Sequence, residues 1–163
     1  MAKSKEEKTN VMRVLEQKKI AYSAHTYPHE EGVAVDGVTV AQSMGFDPAS
    51  VFKTLVARGA SKQYYVFDVP VAENLDLKKA AKAVGEKSIE MLHQKELLPL
   101  TGYVHGGCSP VGMKKLFPTV IDASAEDLST MIVSAGKIGY QVELSPRDLA
   151  TLVRAKFADL IAK

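Results

Sequence analysis

The segment Val51-Phe52-Lys53-Thr54-Leu55-Val56-Ala57 carries the clearest structural signal in this chain of 163 residues. Five of its seven residues are apolar, and Asp47-Pro48 and Gly59 lie on either side of it. A short run rich in β-branched and aromatic residues between turn residues predicts a β-strand. Because apolar side chains fall on both faces, we expect a central strand that is covered on both sides.

Lys53 interrupts one of these apolar faces, between Val51 and Leu55. An ammonium group in such a place costs free energy unless it reaches water, a carboxylate or a bound anion. One interpretation is a side chain that extends along the strand to solvent. The other is a positive charge held in place for function. Both interpretations remain open on this segment alone.

Composition and charge limit the class of protein. Apolar residues make up 46% of the chain and charged residues 25%, which is ordinary for a globular protein. The length fits one domain, residues 1–163, with its own core. No apolar run is long enough to span a bilayer or to serve as a signal peptide, and a single cysteine fits a reducing cytoplasm. The net charge of +2 is too small to predict nucleic-acid binding from the long-range field.

Signals for helices and strands are mixed along the rest of the chain. Helices are predicted after Thr9 or Asn10 and over residues 40–44, 77–84 and 94–98, and a long C-terminal helix over residues 145–161. Further strands are predicted over residues 20–27, 64–71, 88–91, 119–122, 131–134 and 140–144. This pattern predicts an α+β fold with a curved, barrel-like mixed β-sheet.

Common catalytic and metal-binding motifs are absent from the sequence. There is no G-x-S-x-G, P-loop, G-x-G-x-x-G or H-E-x-x-H motif. His25 and His29 have the spacing of two metal ligands on a helix, but Pro28 between them argues against that helix. Cys108 has no base near it in the sequence, so we interpret it as a small turn residue rather than a nucleophile.

Two glycine-containing segments could expose backbone N–H groups to a ligand. They are Gly106-Gly107-Cys108-Ser109-Pro110 and Ser134-Ala135-Gly136. Glycine permits close approach of the backbone and positive φ angles. Both segments are predicted to follow strands and so could line one pocket, although either of them alone is also compatible with a simple turn.

In combination, these motifs resemble the YbaK/EbsC family of Cys-tRNA(Pro) deacylases, which are related to the editing domain of bacterial prolyl-tRNA synthetases. The resemblance extends along the whole chain. The motifs that carry it are His25-Thr26-Tyr27, Val51-Phe52-Lys53-Thr54-Leu55, Leu75-Asp76-Leu77-Lys78-Lys79-Ala80-Ala81-Lys82, Thr101-Gly102-Tyr103, the segment from Gly106 to Lys115, Ser134-Ala135-Gly136-Lys137 and Ala155-Lys156-Phe157-Ala158-Asp159.

The resemblance implies a barrel-like mixed β-sheet surrounded by helices, and hydrolysis of the ester between a mischarged amino acid and the tRNA 3′ end. It implies that Lys53 contacts the phosphate or ribose of the terminal adenosine and that Tyr27 is the tyrosine associated with activity. The substrate-binding residues that it implies are Gly106, Gly107, Cys108, Ser109 and Pro110 on one wall, with Ser134 and Gly136 on the opposite wall. Many relatives have arginine where Ile138 stands, and some have an acidic residue at the position of Gln141.

The implied mechanism needs no protein nucleophile, cofactor or metal, because the thiol of the cysteinyl group can attack its own ester. The expected partners are the acceptor end of mischarged tRNA(Pro) and prolyl-tRNA synthetase in a ternary complex. Two alternatives stay open: an Ala-tRNA(Pro) deacylase of the same fold, and a non-catalytic module that binds aminoacyl-tRNA or the synthetase.

Overall fold

A computed structural model describes residues 8–163, and this part of the chain contains five α-helices and eight β-strands. The helices are α1 (Asn10–Gln17), α2 (Gly37–Met44), α3 (Leu77–Val84), α4 (Gln94–Thr101) and α5 (Pro146–Val153). The strands are β1 (Tyr22–Thr26), β2 (Phe52–Gly59), β3 (Tyr64–Pro70), β4 (Ile89–Met91), β5 (Thr119–Asp122), β6 (Met131–Lys137), β7 (Tyr140–Leu144) and β8 (Lys156–Ala158). Short 3-10 helices cover Pro48–Ser50 and Ala123–Asp127.

The strands form two sheets. The larger sheet is mixed and has the order β4-β2-β3-β5-β8, with β3, β5 and β8 parallel to one another and β2 antiparallel to β3 and β4. The smaller sheet is antiparallel and has the order β1-β7-β6. A bridge between Val51 and Ile132 joins the two sheets. The predicted α+β fold is confirmed, and the strands of residues 8–163 approach a barrel without closing it.

Strand β2 is central, as predicted, because β3 and β4 pair with its two edges. Phe52 and Val56 on one face belong to the largest apolar core cluster. On the other face, Ala57 and Leu55 pack in a second cluster against the buried side of α3. Lys53 lies on this second face at the beginning of the strand.

Local capping signals place the helices that surround the sheets. The side chains of Thr9, Asp36, Asp76 and Ser145 accept hydrogen bonds from the first backbone N–H groups of α1, α2, α3 and α5. Gly45 and Gly85 end α2 and α3 in the left-handed conformation, which glycine adopts without a steric penalty. Helix α2 begins three residues earlier than residue 40, where the sequence predicted it, because Asp36 is the cap.

The predicted long C-terminal helix is wrong beyond Val153. Arg154 is left-handed, with φ of 58°, and Ala155 N donates to Ala150 O over 2.8 Å, which ends α5. The chain then extends as β8, where Phe157 pairs with Ile121 of β5, and Leu160 N donates to Asp122 Oδ1 over 2.9 Å. The apolar residues 157 and 160 fit a helical period, but here the edge of the sheet supplies the partners for their backbone.

The surroundings of both glycine segments also differ from the prediction. Ser134, Ala135 and Gly136 lie inside β6, at an irregularity between Ser134 and Lys137, rather than in a loop after the strand. The Gly106 segment follows α4 and a turn instead of a strand. Helix α4 itself continues through Pro99 to Thr101, past its predicted end.

Candidate active site

A cavity of about 230 Å³ opens where the beginning of β2, the first turn of α2, the Gly106 segment and strands β6 and β7 meet. It brings together five of the nine residues that the sequence predicted for the site. These are Tyr27, Lys53, Gly106, Cys108 and Ser134. They come from positions that are far apart in the chain, so the strand pairing creates this cavity.

Lys53 supplies a positive charge to the cavity. Its side chain is partly buried, and burial lowers the pKa of its ammonium, while attraction to Asp36 and Glu73 opposes that shift. Among residues 8–163, no carboxylate lies within 4.0 Å of its Nζ. A partly desolvated cation without a close counter-ion is suited to an anionic ligand.

Asp36 is a second charged group at the cavity, and the sequence prediction missed it. Its carboxylate accepts hydrogen bonds from Thr39 Oγ1 over 2.5 Å and from the backbone N–H groups of Val38 and Thr39. The Thr39 hydroxyl is the main cause of a lowered pKa for Asp36. An aspartate before an amphipathic helix was a capping signal, but nothing in the sequence placed that cap beside Lys53.

The Gly106 segment approaches the neighbouring backbone too closely for a larger residue. Gly106 has φ of 89°, and a Cβ atom there would lie 2.7 Å from Ala34 Cβ. A Cβ on Gly107 would lie 3.1 Å from Ile138 N. Both glycines are therefore required by the packing of the segment against residues 34 and 138.

Only part of this segment has amide groups free for a ligand. The N–H groups of Gly106 and Cys108 donate to no group within residues 8–163, and both residues line the cavity. Gly107 N donates to Val104 O over 2.9 Å. Ser109 is fully buried, with its Oγ accepting from Val111 N, and Pro110 has no N–H. Gly107, Ser109 and Pro110 therefore shape the loop behind the cavity.

Cys108 contributes a neutral thiol. Burial, and then the nearby Asp68, raise the pKa of the Cys108 thiol to about 12. Since the thiolate is the nucleophilic form, a thiol with this pKa does not act as a nucleophile near neutral pH. The geometry agrees with the interpretation of Cys108 as a small turn residue.

Ser134 and Gly136 are separated by the irregularity in β6. Ser134 is buried and lines the cavity, and its Oγ accepts from Gly136 N over 3.0 Å. Gly136 lines a different cavity of about 250 Å³, together with Asn10 and Tyr103. Ser134 therefore lines the cavity that Gly106 and Cys108 also line, while Gly136 lines the other cavity and donates its N–H to the Ser134 hydroxyl.

Tyr27 is buried at the end of β1, where its backbone N donates to Gly139 O over 3.1 Å. Thr54 and Gln141 are two further cavity residues that the prediction did not include. Gln141 is buried, and its Oε1 has no hydrogen-bond partner among the described residues. Alternation along β7 places Gln141 on the face opposite the core residues Val142 and Leu144, and the sequence analysis noted it only as a position where some relatives have an acidic residue.

The described part of the chain shows no sign of a metal site or of a membrane-spanning helix. No group of three His, Cys, Asp or Glu side chains in residues 8–163 could hold a metal ion. None of the helices in that range is both long enough and apolar enough to cross a membrane.

Comparisons with known proteins agree with one another. The model of the aminoacyl-tRNA editing domain family matches residues 32–152. A curated Enterococcus faecalis protein named "Putative Cys-tRNA(Pro)/Cys-tRNA(Cys) deacylase EbsC" is 45% identical over 164 residues, covering 100% of this chain and 99% of its own length. A crystal structure described as "a putative trans-editing enzyme for prolyl tRNA synthetase" has a TM-score of 0.79 and 26% identity, covering 94% of this chain and 95% of its own. The crystal structure of a hypothetical protein, with a TM-score of 0.82 and 20% identity over 93% of this chain and 99% of its own, shares the fold.

Proposed function

Because this chain belongs to the aminoacyl-tRNA editing domain family, we propose that it is a trans-editing hydrolase that removes cysteine from mischarged Cys-tRNA(Pro). The 45% identity with EbsC supports this substrate, and the name of that relative extends the proposal to Cys-tRNA(Cys). The observation that carries the proposal is that Lys53, which has no carboxylate within 4.0 Å among residues 8–163, lines the same cavity as Gly106 and Cys108, whose amides are unpaired within that range.

Each cavity residue has a role in this reaction. Lys53 binds the phosphate or ribose of the terminal adenosine and orients it. The Gly106 and Cys108 amides donate to the oxyanion that develops when the ester carbonyl is attacked. Tyr27 contacts the substrate through its hydroxyl, and Ser134 forms the opposite wall. Gly107, Ser109, Pro110 and Gly136 act by holding these groups in position.

The nucleophile is the thiol of the substrate itself. The cysteinyl sulfur attacks the ester carbonyl, a C–S bond forms, and the C–O bond to the ribose breaks. The ribose hydroxyl leaves with the thiol proton, and the cyclic thioester that is released is hydrolysed by water. The protein accelerates this step by holding sulfur and carbonyl close together and by stabilising the oxyanion. The neutral Cys108 thiol takes no chemical part.

Loss of labelled amino acid from tRNA(Pro) tests the proposal. Lys53→Ala is expected to reduce release of cysteine on the order of 100-fold, a typical loss when the group that orients the substrate for attack is removed. Lys87→Ala is the matched control, because Lys87 is exposed and precedes β4, at the opposite end of β2. Seryl-tRNA(Pro) is expected to react far more slowly, since its hydroxyl is a weaker nucleophile.

Other results of this assay would point elsewhere. Release of alanine rather than cysteine would make the protein an Ala-tRNA(Pro) deacylase of the same fold. Equal release of serine and cysteine would indicate an activated water molecule in place of the substrate thiol. Release of neither amino acid by the wild type would leave a binding module.

The proposal also covers partners and location. The cavity of about 230 Å³ is small compared with a tRNA, and a net charge of +2 provides little long-range attraction for the body of the tRNA. We therefore propose that prolyl-tRNA synthetase supplies tRNA selection in a ternary complex, and that the protein works in the cytoplasm.

A further inference from the structure

Asp68 of β3 is a buried carboxyl group beside the cavity that the mechanism above does not use. Its side chain is fully buried, and Thr54 of β2 is its cross-strand neighbour. Thr54 Oγ1 donates a hydrogen bond of 2.5 Å to Asp68 Oδ1. Asp68 Oδ2 has no partner among residues 8–163. Buried carboxyl oxygens are normally paired, so this residue requires an explanation.

The contact with Asp68 determines what Thr54 can offer to a ligand. Thr54 lines the cavity, and a hydroxyl has one proton and two lone pairs. Since its proton is directed at Asp68, the Thr54 oxygen can only accept hydrogen bonds from a molecule in the cavity. Without Asp68, the hydroxyl could rotate and donate instead.

Gln141 presents a second acceptor to the same cavity. Only 6% of Gln141 is exposed, and its Oε1 has no partner among the described residues. Lys53 and the amides of Gly106 and Cys108 are, in contrast, donors. The cavity therefore offers two kinds of surface, one for the anionic and carbonyl oxygens of a ligand and one for its N–H groups.

An aminoacyl ester has groups that match both surfaces. Its ester oxygens only accept hydrogen bonds, whereas its α-ammonium group is a strong donor. We propose that Asp68 is a positioning residue for substrate binding, which fixes the Thr54 hydroxyl as an acceptor for the α-ammonium group of the aminoacyl ester, with Gln141 Oε1 as the second acceptor. This inference rests on the proposed aminoacyl-tRNA function and specifies how the substrate is held.

The groups around Asp68 leave its charge to be balanced by the substrate. Lys53 precedes Thr54 on β2 and lies on the opposite face of that strand. Cys108, from the Gly106 segment, interacts electrostatically with Asp68 and has a neutral thiol, because its pKa is raised to about 12. The α-ammonium group of a bound substrate would therefore supply a cation on the face of β2 that Asp68 shares with Thr54. That cation would favour the ionised form of the Asp68 carboxyl group.

Two further titratable groups lie on the neighbouring elements and do not supply a cation. Tyr103 has a phenol, which is neutral near pH 7 and never cationic, and burial raises its pKa further, to about 12. Asp122 of β5 uses Oδ1 to accept from Leu160 N. Burial raises the pKa of Asp68 itself to about 7, against the opposing effect of the Thr54 hydrogen bond. The contribution of Asp68 to substrate binding should thus increase as pH rises through about 7.

The test compares two substrates that differ in the amino group alone. One is cysteinyl-tRNA(Pro), and the other is 3-mercaptopropionyl-tRNA(Pro), which keeps the thiol and lacks the α-amino group. The value of kcat/KM is measured for the wild type, Thr54→Val, Thr54→Ser and Asp68→Asn. Thr151→Val is the control, because it makes the same isosteric change on the exposed side of α5.

We expect Thr54→Val to lower kcat/KM for the cysteinyl substrate by roughly 10- to 100-fold, which is the effect of removing one hydrogen bond to a charged group. For 3-mercaptopropionyl-tRNA(Pro), which lacks the amino group, Thr54→Val should have a kcat/KM close to that of the wild type. Asp68→Asn should also reduce the preference for the cysteinyl substrate, since an amide can donate to Thr54 and turn its hydroxyl toward the ammonium. Thr54→Ser should recover the preference that Thr54→Val loses.

The alternative outcomes are distinct. Equal losses on both substrates in Thr54→Val and Asp68→Asn would show a structural role and overturn the inference, as would no loss on either substrate. A wild type that releases neither acyl group would overturn the proposed function, and this inference with it. As a second readout, the ratio of wild-type to Asp68→Asn kcat/KM for the cysteinyl substrate should rise between pH 6 and pH 7.5, and a constant ratio would contradict the role of the carboxylate.

Discussion

At the scale of single residues, the buried carboxyl group of Asp68 affects the stability of the fold as well as its proposed substrate contact. Burial raises the pKa of Asp68 to about 7 in the folded protein, whereas an aspartate in an unfolded chain titrates near about 3.9. The folded state therefore binds a proton more tightly than the unfolded state. The protonated Asp68 carboxyl therefore contributes to the free energy of unfolding. This contribution is complete below about pH 3.9 and is lost progressively as pH rises through about 7.

Asp68→Asn removes this titration while keeping the shape of the side chain. Between pH 5 and pH 8, the free energy of unfolding of the wild type should fall relative to that of Asp68→Asn by on the order of 2 kcal/mol. Urea denaturation at the two pH values measures this difference, and Asp127→Asn, at an exposed position, serves as the control. Parallel pH dependence of wild type and Asp68→Asn would mean that the Asp68 carboxyl does not change its protonation between pH 5 and pH 8 in the folded state, which would contradict a pKa near about 7.

The residues of the site differ in how well the sequence reveals them. Lys53 could be identified because a lysine within an apolar strand has few structural explanations. Thr54 and Gln141 could not, because a threonine or a glutamine within a strand has ordinary structural explanations. Asp68 interrupts the apolar run of β3 much as Lys53 interrupts that of β2, but nothing in the sequence indicated that it would lie beside the cavity. Their burial depends on which faces of two sheets meet across the cavity, and that information is in the tertiary pairing rather than in the local pattern.

At the scale of elements, the Gly106 segment is held in place by contacts that exclude a side chain. Gly106→Ala would bring a Cβ atom to 2.7 Å from Ala34 Cβ at a φ angle of 89°. Gly102→Ala is a matched control with φ of 88°, where the nearest atom is Lys114 Cγ at 3.4 Å, part of a flexible side chain.

Both glycine variants should lose about 1 to 2 kcal/mol of unfolding free energy from the left-handed backbone. Only Gly106→Ala should also lose most of the deacylation rate, because the shift moves the two unpaired amides out of position. Unfolding curves and deacylation rates for both variants separate these effects. An active Gly106→Ala would show that the amides of this segment do not stabilise the reaction.

Helices with both a cap and a periodic apolar pattern were predicted correctly, as α1 and α3 show, and so were the apolar strands β2 and β3 that turn residues bound. The C-terminal helix was wrong because the residues from 156 onward satisfy a helical period, while β5 has a free edge that accepts them as a strand. Sequence periodicity describes which side chains are apolar, and it contains no information about which sheet edge is vacant. The β6 segment was misassigned for a related reason, since Gly136 marks an irregularity within the strand rather than its end.

At the scale of the whole molecule, the small cavity and the low net charge support the proposal that prolyl-tRNA synthetase supplies tRNA selection. Adding prolyl-tRNA synthetase should therefore increase the rate of Cys-tRNA(Pro) deacylation when the enzyme is dilute, and the increase should decline as ionic strength rises if the contacts are electrostatic. Deacylation rates with and without synthetase measure the effect, with a synthetase for another amino acid as the control. Equal rates in all cases would mean that this chain finds its tRNA alone.

The pairing of β1 with β7 also has a consequence for the life of the protein before it is complete. A growing polypeptide on the ribosome can fold the hairpin of β2 and β3 early, because both strands are close in sequence. The cavity itself cannot exist until Gln141 has left the exit tunnel and β7 can join β1. The cavity therefore assembles only after β7 has emerged, and a nascent chain that stops before β7 contains the hairpin of β2 and β3 without the complete site.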